Sequence, residues 1–133
     1  MKSIKFSKIG KREVNQDYVL IKNINPETSL HLVVDGMGGY ADGEVAAQLV
    51  AENIEAYLST VKKINISQIQ NAINKANLVI KQHSEKINSK TGATVGGTII
   101  TNKKAICLWV GDVKVFHFKN NKLAEESTSH NLI

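Results

Sequence analysis

The feature that most constrains the fold of this chain is an apolar run, residues 30–39, that ends in an acid and three glycines. Four of its first five residues are apolar, which predicts a strand buried in a core. Asp35 stands where this strand is expected to stop. An ionised carboxylate at the end of a buried strand is costly unless a cation compensates it, and a hard divalent metal ion is one solution.

The glycines that follow the acid are Gly36, Gly38 and Gly39. Because they carry no side chains, backbone carbonyls could approach a metal ion there, and the chain could take positive φ angles before the next helix. The alternative interpretation is a strand, a tight turn and a helix N-terminus with an acidic cap. Taken alone, the run fits this alternative better.

Length and charge exclude several classes of protein. The 133 residues correspond to one domain, residues 1–133, with a single core. The net charge of +5 comes from 17 basic and 12 acidic residues, and the lysines are spread along the chain rather than clustered. A nucleic-acid partner is therefore not expected, since binding would need a concentrated basic face.

Cysteine content and hydropathy favour a cytoplasmic protein. Cys107 is the only cysteine, so no disulfide forms within the chain, and its apolar surroundings predict a buried structural thiol. No apolar run approaches the roughly 18 residues of a membrane span, and the first residues lack the apolar core of a signal peptide. We expect no membrane partner.

The order of the hydrophobic patterns predicts an α+β fold in which strands and helices are segregated. Ser67 is the expected N-cap of the second helix. Gly96 and Gly97 in a later strand predict the close approach of another backbone. The predicted strands are residues 2–8, 18–21, 30–35, 94–101, 105–110, 113–119 and 122–126, and the predicted helices are residues 42–58 and 67–86.

Arg12 is the only arginine, whereas every other basic residue is a lysine. A planar guanidinium can hold two phosphate oxygens at once, so this position is a candidate phosphate site. A solvated arginine on a surface turn explains the same observation equally well.

Five short motifs together resemble those of one known family, the PPM or protein phosphatase 2C family of metal-dependent serine/threonine phosphatases in its bacterial form. They occur in the order found in that family, over nearly the whole chain. The motifs are Arg12-Glu13-Val14-Asn15-Gln16-Asp17, Val34-Asp35-Gly36-Met37-Gly38-Gly39, Gly43-Glu44-Val45-Ala46-Ala47, Gly92-Ala93-Thr94 and Val110-Gly111-Asp112.

The resemblance implies a four-layer αββα sandwich, two antiparallel sheets flanked by helix pairs, with two Mn²⁺ or Mg²⁺ ions at one edge. Asp35 would bridge the two ions, and the carbonyl of Gly36 would bind one of them. Asp17 would bind a metal directly or through a metal-bound water, and Asp112 would help to hold a third ion. Arg12 would hold the substrate phosphate. The implied reaction is attack of a metal-activated water on phosphoserine or phosphothreonine in proteins.

The chain has fewer acidic residues in its C-terminal part than the family pattern requires. Family members are longer, and their second half supplies two further aspartates to the metal pair, whereas the only acids after Asp112 are Glu125 and Glu126. We therefore expect the N-terminal portion of a phosphatase domain, incomplete on its C-terminal side and a poor enzyme alone. Its substrates would be phosphorylated proteins, the products of a serine/threonine kinase. The alternative is a non-catalytic signalling or partner-binding module.

Overall fold

The computed structural model describes residues 2–38 and 42–128. The predicted α+β class is confirmed, because strands, then two helices, then further strands follow one another along the chain. The elements are β1 (Asp17–Asn25), β2 (Thr28–Met37), α1 (Asp42–Thr60), α2 (Ile66–Ile87), β3 (Gly92–Ile100), β4 (Ala105–Val110), β5 (Phe116–Lys119) and β6 (Lys122–Glu126).

The first four strands form one antiparallel sheet in the order β1-β2-β3-β4. Its register places Asp35 of β2 opposite Asp17 of β1 on one side and opposite Thr94 of β3 on the other. A Cβ at Gly97 would collide with the carbonyl oxygen of His31 on β2. The close backbone approach predicted for Gly96 and Gly97 is thereby confirmed for Gly97, whereas the space beside Gly96 is occupied by the side chain of Val113.

The core lies between this sheet and the helix pair. Alternate residues of β2 (Leu30, Leu32 and Val34) are almost fully buried toward the helices. The buried face of α1 is rich in alanine, which lets the helix lie close to the sheet. Burying one leucine side chain contributes about 1.5–3 kcal/mol, so these contacts hold β2 firmly in place. The helical core residues are Ala46, Ala47, Val50, Ala51, Ile54, Leu58, Ile69, Ala72, Ala76 and Ile80.

The second helix begins one residue earlier than predicted. The N-cap is Asn65 rather than Ser67, because the Asn65 side chain accepts a hydrogen bond from the backbone N–H of Gln68 (2.9 Å). Such a cap contributes about 1 kcal/mol. The helix ends at Ile87, and its C-cap, Asn88, adopts the left-handed conformation (φ 52°).

The predicted N-terminal strand does not form. Residues 2–9 are irregular, and Ile4 and Phe6, whose alternation suggested a strand, are 87% and 79% exposed. Ser3 Oγ lies 2.9 Å from His31 Nε2, so the segment is attached to the helix-free face of the sheet. Alternation alone cannot produce a strand where no neighbouring strand pairs with it.

The last two strands, β5 and β6, form a separate two-stranded sheet. Asn120 and Asn121 join them with φ angles of 53° and 61°, as a two-residue hairpin turn requires. The strand predicted from residue 113 begins only at Phe116, because Val113 instead packs against Gly96 on the helix-free face of the larger sheet. A second helix pair does not occur within residues 2–38 and 42–128.

Two further sequence-based expectations have structural outcomes. Cys107 is exposed rather than buried, because it lies on the face of β4 that the helices do not cover. In the part of the chain that the structure describes, neither helix is both long and apolar enough to span a bilayer.

Candidate functional site

The candidate site lies on the helix-free face of the larger sheet, at the beginning of β1 and the last residues of β2. Asp17 and Asp35 are direct cross-strand partners there. The expectation that β2 stops at Asp35 was wrong, since the strand continues to Met37. Asp35 is also exposed, because odd-numbered residues of β2 point away from the helices.

Burial and electrostatic repulsion both disfavour the ionised form of Asp35. Partial desolvation, the charge of Asp17 and a hydrogen bond between the two carboxyl groups raise the pKa of Asp35 above its ordinary value of 3.8. The charge of Asp112 raises it further, whereas that of Arg12 lowers it. Like charges directly opposite each other on a sheet are unfavourable, so a bound cation would relieve the repulsion.

A pocket of about 150 Å³ joins the acids to the candidate phosphate-binding arginine. Arg12 lies in this pocket, and its backbone N–H donates to the carbonyl of Ile9 (3.4 Å). The side chain is exposed and therefore available to an anionic ligand. The pocket is lined by Lys8, Ile9, Arg12, Val14, Asn15, Gln16, Asp17 and Asp35.

The glycines after Asp35 are needed for space rather than for positive φ. Gly36 has an ordinary φ, but a Cβ there would collide with the carbonyl oxygen of Gly43 in the first turn of α1. A Cβ at Gly38 would lie 2.9 Å from the backbone nitrogen of Gly43. The expectation of positive φ was therefore wrong for Gly36 and Gly38, and Gly39 lies outside the described residues.

Asp112 is not part of the pocket. It follows Gly111, which has a φ of 95° and lies against the side chain of Thr94. Asp112 influences Asp35 only through its charge. Thr94, 9% exposed, has a buried hydroxyl oxygen with no hydrogen-bond partner in the described residues, and it lies opposite Asp35 in register.

These residues fit part of the coordination sphere of a hard divalent cation. The carboxylates of Asp17 and Asp35, the backbone carbonyl of Gly36 and the unpaired hydroxyl of Thr94 are all oxygen donors, which suit Mg²⁺ or Mn²⁺. Within residues 2–38 and 42–128, however, no three histidine, cysteine or acidic side chains come close enough to hold an ion by themselves. Water or further protein groups must complete the sphere.

Three residues near the site were given no role from the sequence. Gln16 lies inside the motif of residues 12–17 and Thr94 inside that of residues 92–94, so the motifs already indicated that both residues lie near the site. Lys8 lies in an irregular segment, and its position beside Arg12 emerges only from the folded chain.

A family model described as Protein phosphatase 2C matches residues 6–131. The chain therefore belongs to the protein phosphatase 2C family, as its motifs indicated. It is similar to the "Serine/threonine phosphatase stp" of Listeria welshimeri, with 25% identity over 109 residues, which cover 77% of this chain and 43% of that relative. The chain thus spans less than half the length of this relative.

Solved structures agree with the fold. The Stp1 serine/threonine phosphatase of Staphylococcus aureus matches with a TM-score of 0.79 and 23% identity over 92% of this chain and 51% of that one. The catalytic domain of the serine threonine protein phosphatase PstP, solved with two manganese ions, matches with a TM-score of 0.74 and 23% identity over 88% of this chain and 50% of that one. At these identities the likeness establishes the architecture.

Proposed function

We propose that this chain supplies part of the active site of a metal-dependent phosphatase that acts on phosphoserine and phosphothreonine in proteins. The observation that carries the proposal is the meeting of Asp17, Asp35 and Arg12 in one pocket. This arrangement places two carboxylates that can bind a cation beside a guanidinium that can bind a phosphate. Membership of the family and the resemblance to metal-containing and serine/threonine-specific phosphatases support the same conclusion.

Each residue has a proposed role. Asp35 and the carbonyl of Gly36 would hold two Mn²⁺ or Mg²⁺ ions, Asp17 would bind one of them directly or through water, and Asp112 would help to hold a third. Bound cations of this kind acidify a water and neutralise charge on phosphorus. Arg12 orients the substrate phosphate through its two parallel N–H donors, and the charge of Lys8 in the same pocket strengthens the attraction.

The extent of the domain and the class of substrate follow from the same proposal. Residues 1–133 would form the N-terminal portion of a single PPM-type domain. Its substrates would be proteins phosphorylated by a serine/threonine kinase. The absence of nucleic-acid and membrane partners and a cytoplasmic location stay predictions from the sequence.

One observation favours a second candidate function. Because the described acids do not complete a metal site by themselves, the chain could serve as a non-catalytic module that binds a signalling partner. The two candidates differ in their need for metal: hydrolysis requires the cation, whereas a protein contact on the helices does not.

The test is a Mn²⁺ titration by calorimetry together with hydrolysis of a phosphothreonine peptide. Both are measured on the 133-residue chain and on the chain joined to the remaining length of the Listeria welshimeri relative. We expect millimolar or undetectable binding and no turnover in the first, and Mn²⁺-dependent turnover that EDTA abolishes in the second. A folded, Mn²⁺-binding fusion without turnover would contradict the phosphatase proposal and favour the binding module.

A further inference from the structure

Gln16 makes two hydrogen bonds to the backbone that follows Asp35. Its backbone carbonyl accepts a hydrogen bond from the N–H of Gly36 (3.0 Å). Its side-chain Nε2 donates to the carbonyl oxygen of Gly38, also at 3.0 Å. The two bonds therefore connect the residue immediately before Asp17 to the residues immediately after Asp35.

The side chain of Gln16 also contacts the first turn of α1. A Cβ added to Gly43 would lie 2.5–2.9 Å from the three terminal atoms of the Gln16 side chain, far inside van der Waals contact. Gln16 thus lies where the start of β1, the end of β2 and the start of α1 meet. A shift of its amide group would move all three relative to one another.

The neighbouring residue holds the other acid in a similar way. The side-chain oxygen of Asn15 accepts a hydrogen bond from the backbone N–H of Asp17 (3.0 Å). This contact fixes the backbone of Asp17, whereas the contacts of Gln16 fix the backbone that follows Asp35. The side chains of Asn15 and Gln16 therefore fix the backbone beside Asp17 and beside Asp35, respectively.

We infer that Gln16 is a positioning residue, which sets the direction of the Gly36 carbonyl and the spacing of Asp35 from Asp17 for cation binding. The inference rests on the proposed function, since it assigns these oxygen atoms to a metal ion. Its physical basis is preorganisation: an oxygen donor held in place binds a hard cation without first losing conformational freedom.

The test compares two substitutions that make the same chemical change. Gln16→Met keeps the length of the side chain and its contact with Gly43 but removes the donor to Gly38. Gln48→Met is the matched control, because Gln48 donates to Glu52 (2.8 Å) on the exposed side of α1, away from the site. Hydrogen exchange of the Gly36 amide without metal and the melting temperature are measured on the 133-residue chain. Mn²⁺ affinity is measured by paramagnetic broadening on the same variants joined to the remaining length of the Listeria welshimeri relative.

For Gln16→Met we expect the protection of the Gly36 amide to fall about fivefold to tenfold, as the loss of one hydrogen bond implies. The apparent Kd for Mn²⁺ should rise by a similar factor. The melting temperature should stay within about 3 °C of the control, and Gln48→Met should change neither protection nor affinity.

Two outcomes would overturn the inference. Protection and affinity equal to those of Gln48→Met would show that the bond to Gly38 holds nothing in place. An equal loss of protection throughout β1 and β2 would show a general structural role instead of a local one. If the parent and its Asp35→Asn variant bind Mn²⁺ equally when each is joined to the remaining length of the Listeria welshimeri relative, the proposed function fails. The metal-free exchange of Gly36 in the 133-residue chain still decides whether Gln16 holds the backbone after Asp35.

Discussion

The two faces of β2 have opposite environments although their residues alternate along one strand. Toward the helices, Leu30, Leu32 and Val34 are at most 1% exposed, whereas on the other face Val33 is 48% exposed and Asp35 is exposed as well. The first face provides the stability of the strand. The second presents Asp35 to the pocket that also contains Arg12.

This difference shows how a fold can keep unfavourable charges in place. Packing of β2 against α1 does not depend on Asp35, so the repulsion between Asp35 and Asp17 is tolerated without loss of the strand. Sites built on rigid strands are also more accurate than sites on loops. The comparison predicts that substitutions on the helix-free face alter function at little cost in stability, and that substitutions on the buried face do the reverse.

The largest expected effect is on catalysis. In a polypeptide that shows Mn²⁺-dependent turnover, Asp35→Asn should lower kcat/KM for a phosphothreonine peptide by roughly a thousandfold or more, because the proposed function assigns this carboxylate to both metal ions. The melting temperature without metal should not fall. Activity within tenfold of the parent would contradict the assignment of Asp35.

The next effect is on stability and compares neighbours on opposite faces. Leu32→Ala should lower the free energy of unfolding by about 2–5 kcal/mol, since it leaves a cavity beneath α1. Val33→Ala, one residue further on, should cost less than about 1 kcal/mol because this side chain is half exposed. Urea unfolding of both variants measures the difference, and equal costs would refute the distinction between the two faces.

A smaller effect is expected in substrate binding. Arg12→Lys keeps the charge but loses the pair of parallel donors, so KM should rise about fivefold to twentyfold while the melting temperature stays unchanged. Lys11→Met is the control, since Lys11 does not line the pocket. An unchanged KM in Arg12→Lys would mean that Arg12 is an ordinary solvated surface residue.

The sequence was sufficient to predict strands β1–β4 and both helices, because the periodicity of apolar residues reflects which face is buried. It was misleading at residues 2–8, where alternation suggested a strand that has no pairing partner among the described residues. Cys107 shows a related limit. An apolar run indicates a strand, but it does not reveal which of its faces the helices cover.

The candidate site was predictable only in part. Arg12 was recognised as the only arginine and Asp17 through its motif, whereas Asp35 and Gly36 were recognised through the apolar run and its glycines. The hydrogen bond from Gln16 to Gly38 joins residues 22 positions apart, and it depends on how β1, β2 and α1 pack. The positions of Lys8 and Asp112 relative to the pocket likewise depend on tertiary structure.

The smallest expected effect is on the pH dependence of the melting temperature, which should differ between the metal-free and the metal-bound protein. The pKa of Asp35 is raised in the folded chain, so the fold favours its protonated form. That stabilisation is fully present below the ordinary pKa of about 3.8 and is lost as the pH rises through the higher folded-state pKa. At pH 7 the ionised carboxylate therefore destabilises the metal-free fold.

Asp35→Asn should accordingly raise the metal-free melting temperature by about 1–3 °C at pH 7, and the gain should disappear near pH 3, where the parent carboxyl is protonated. Asp42→Asn is the control: it removes an acid from the first turn of α1, where negative charge is favourable, so it should lower the melting temperature at pH 7. Saturating Mn²⁺ should reverse the order of parent and Asp35→Asn, because a ligand stabilises only the form that binds it. A lower metal-free melting temperature for Asp35→Asn at pH 7 would mean that Asp35 supports the fold itself, and the contrast between the two faces of β2 would fail at that residue.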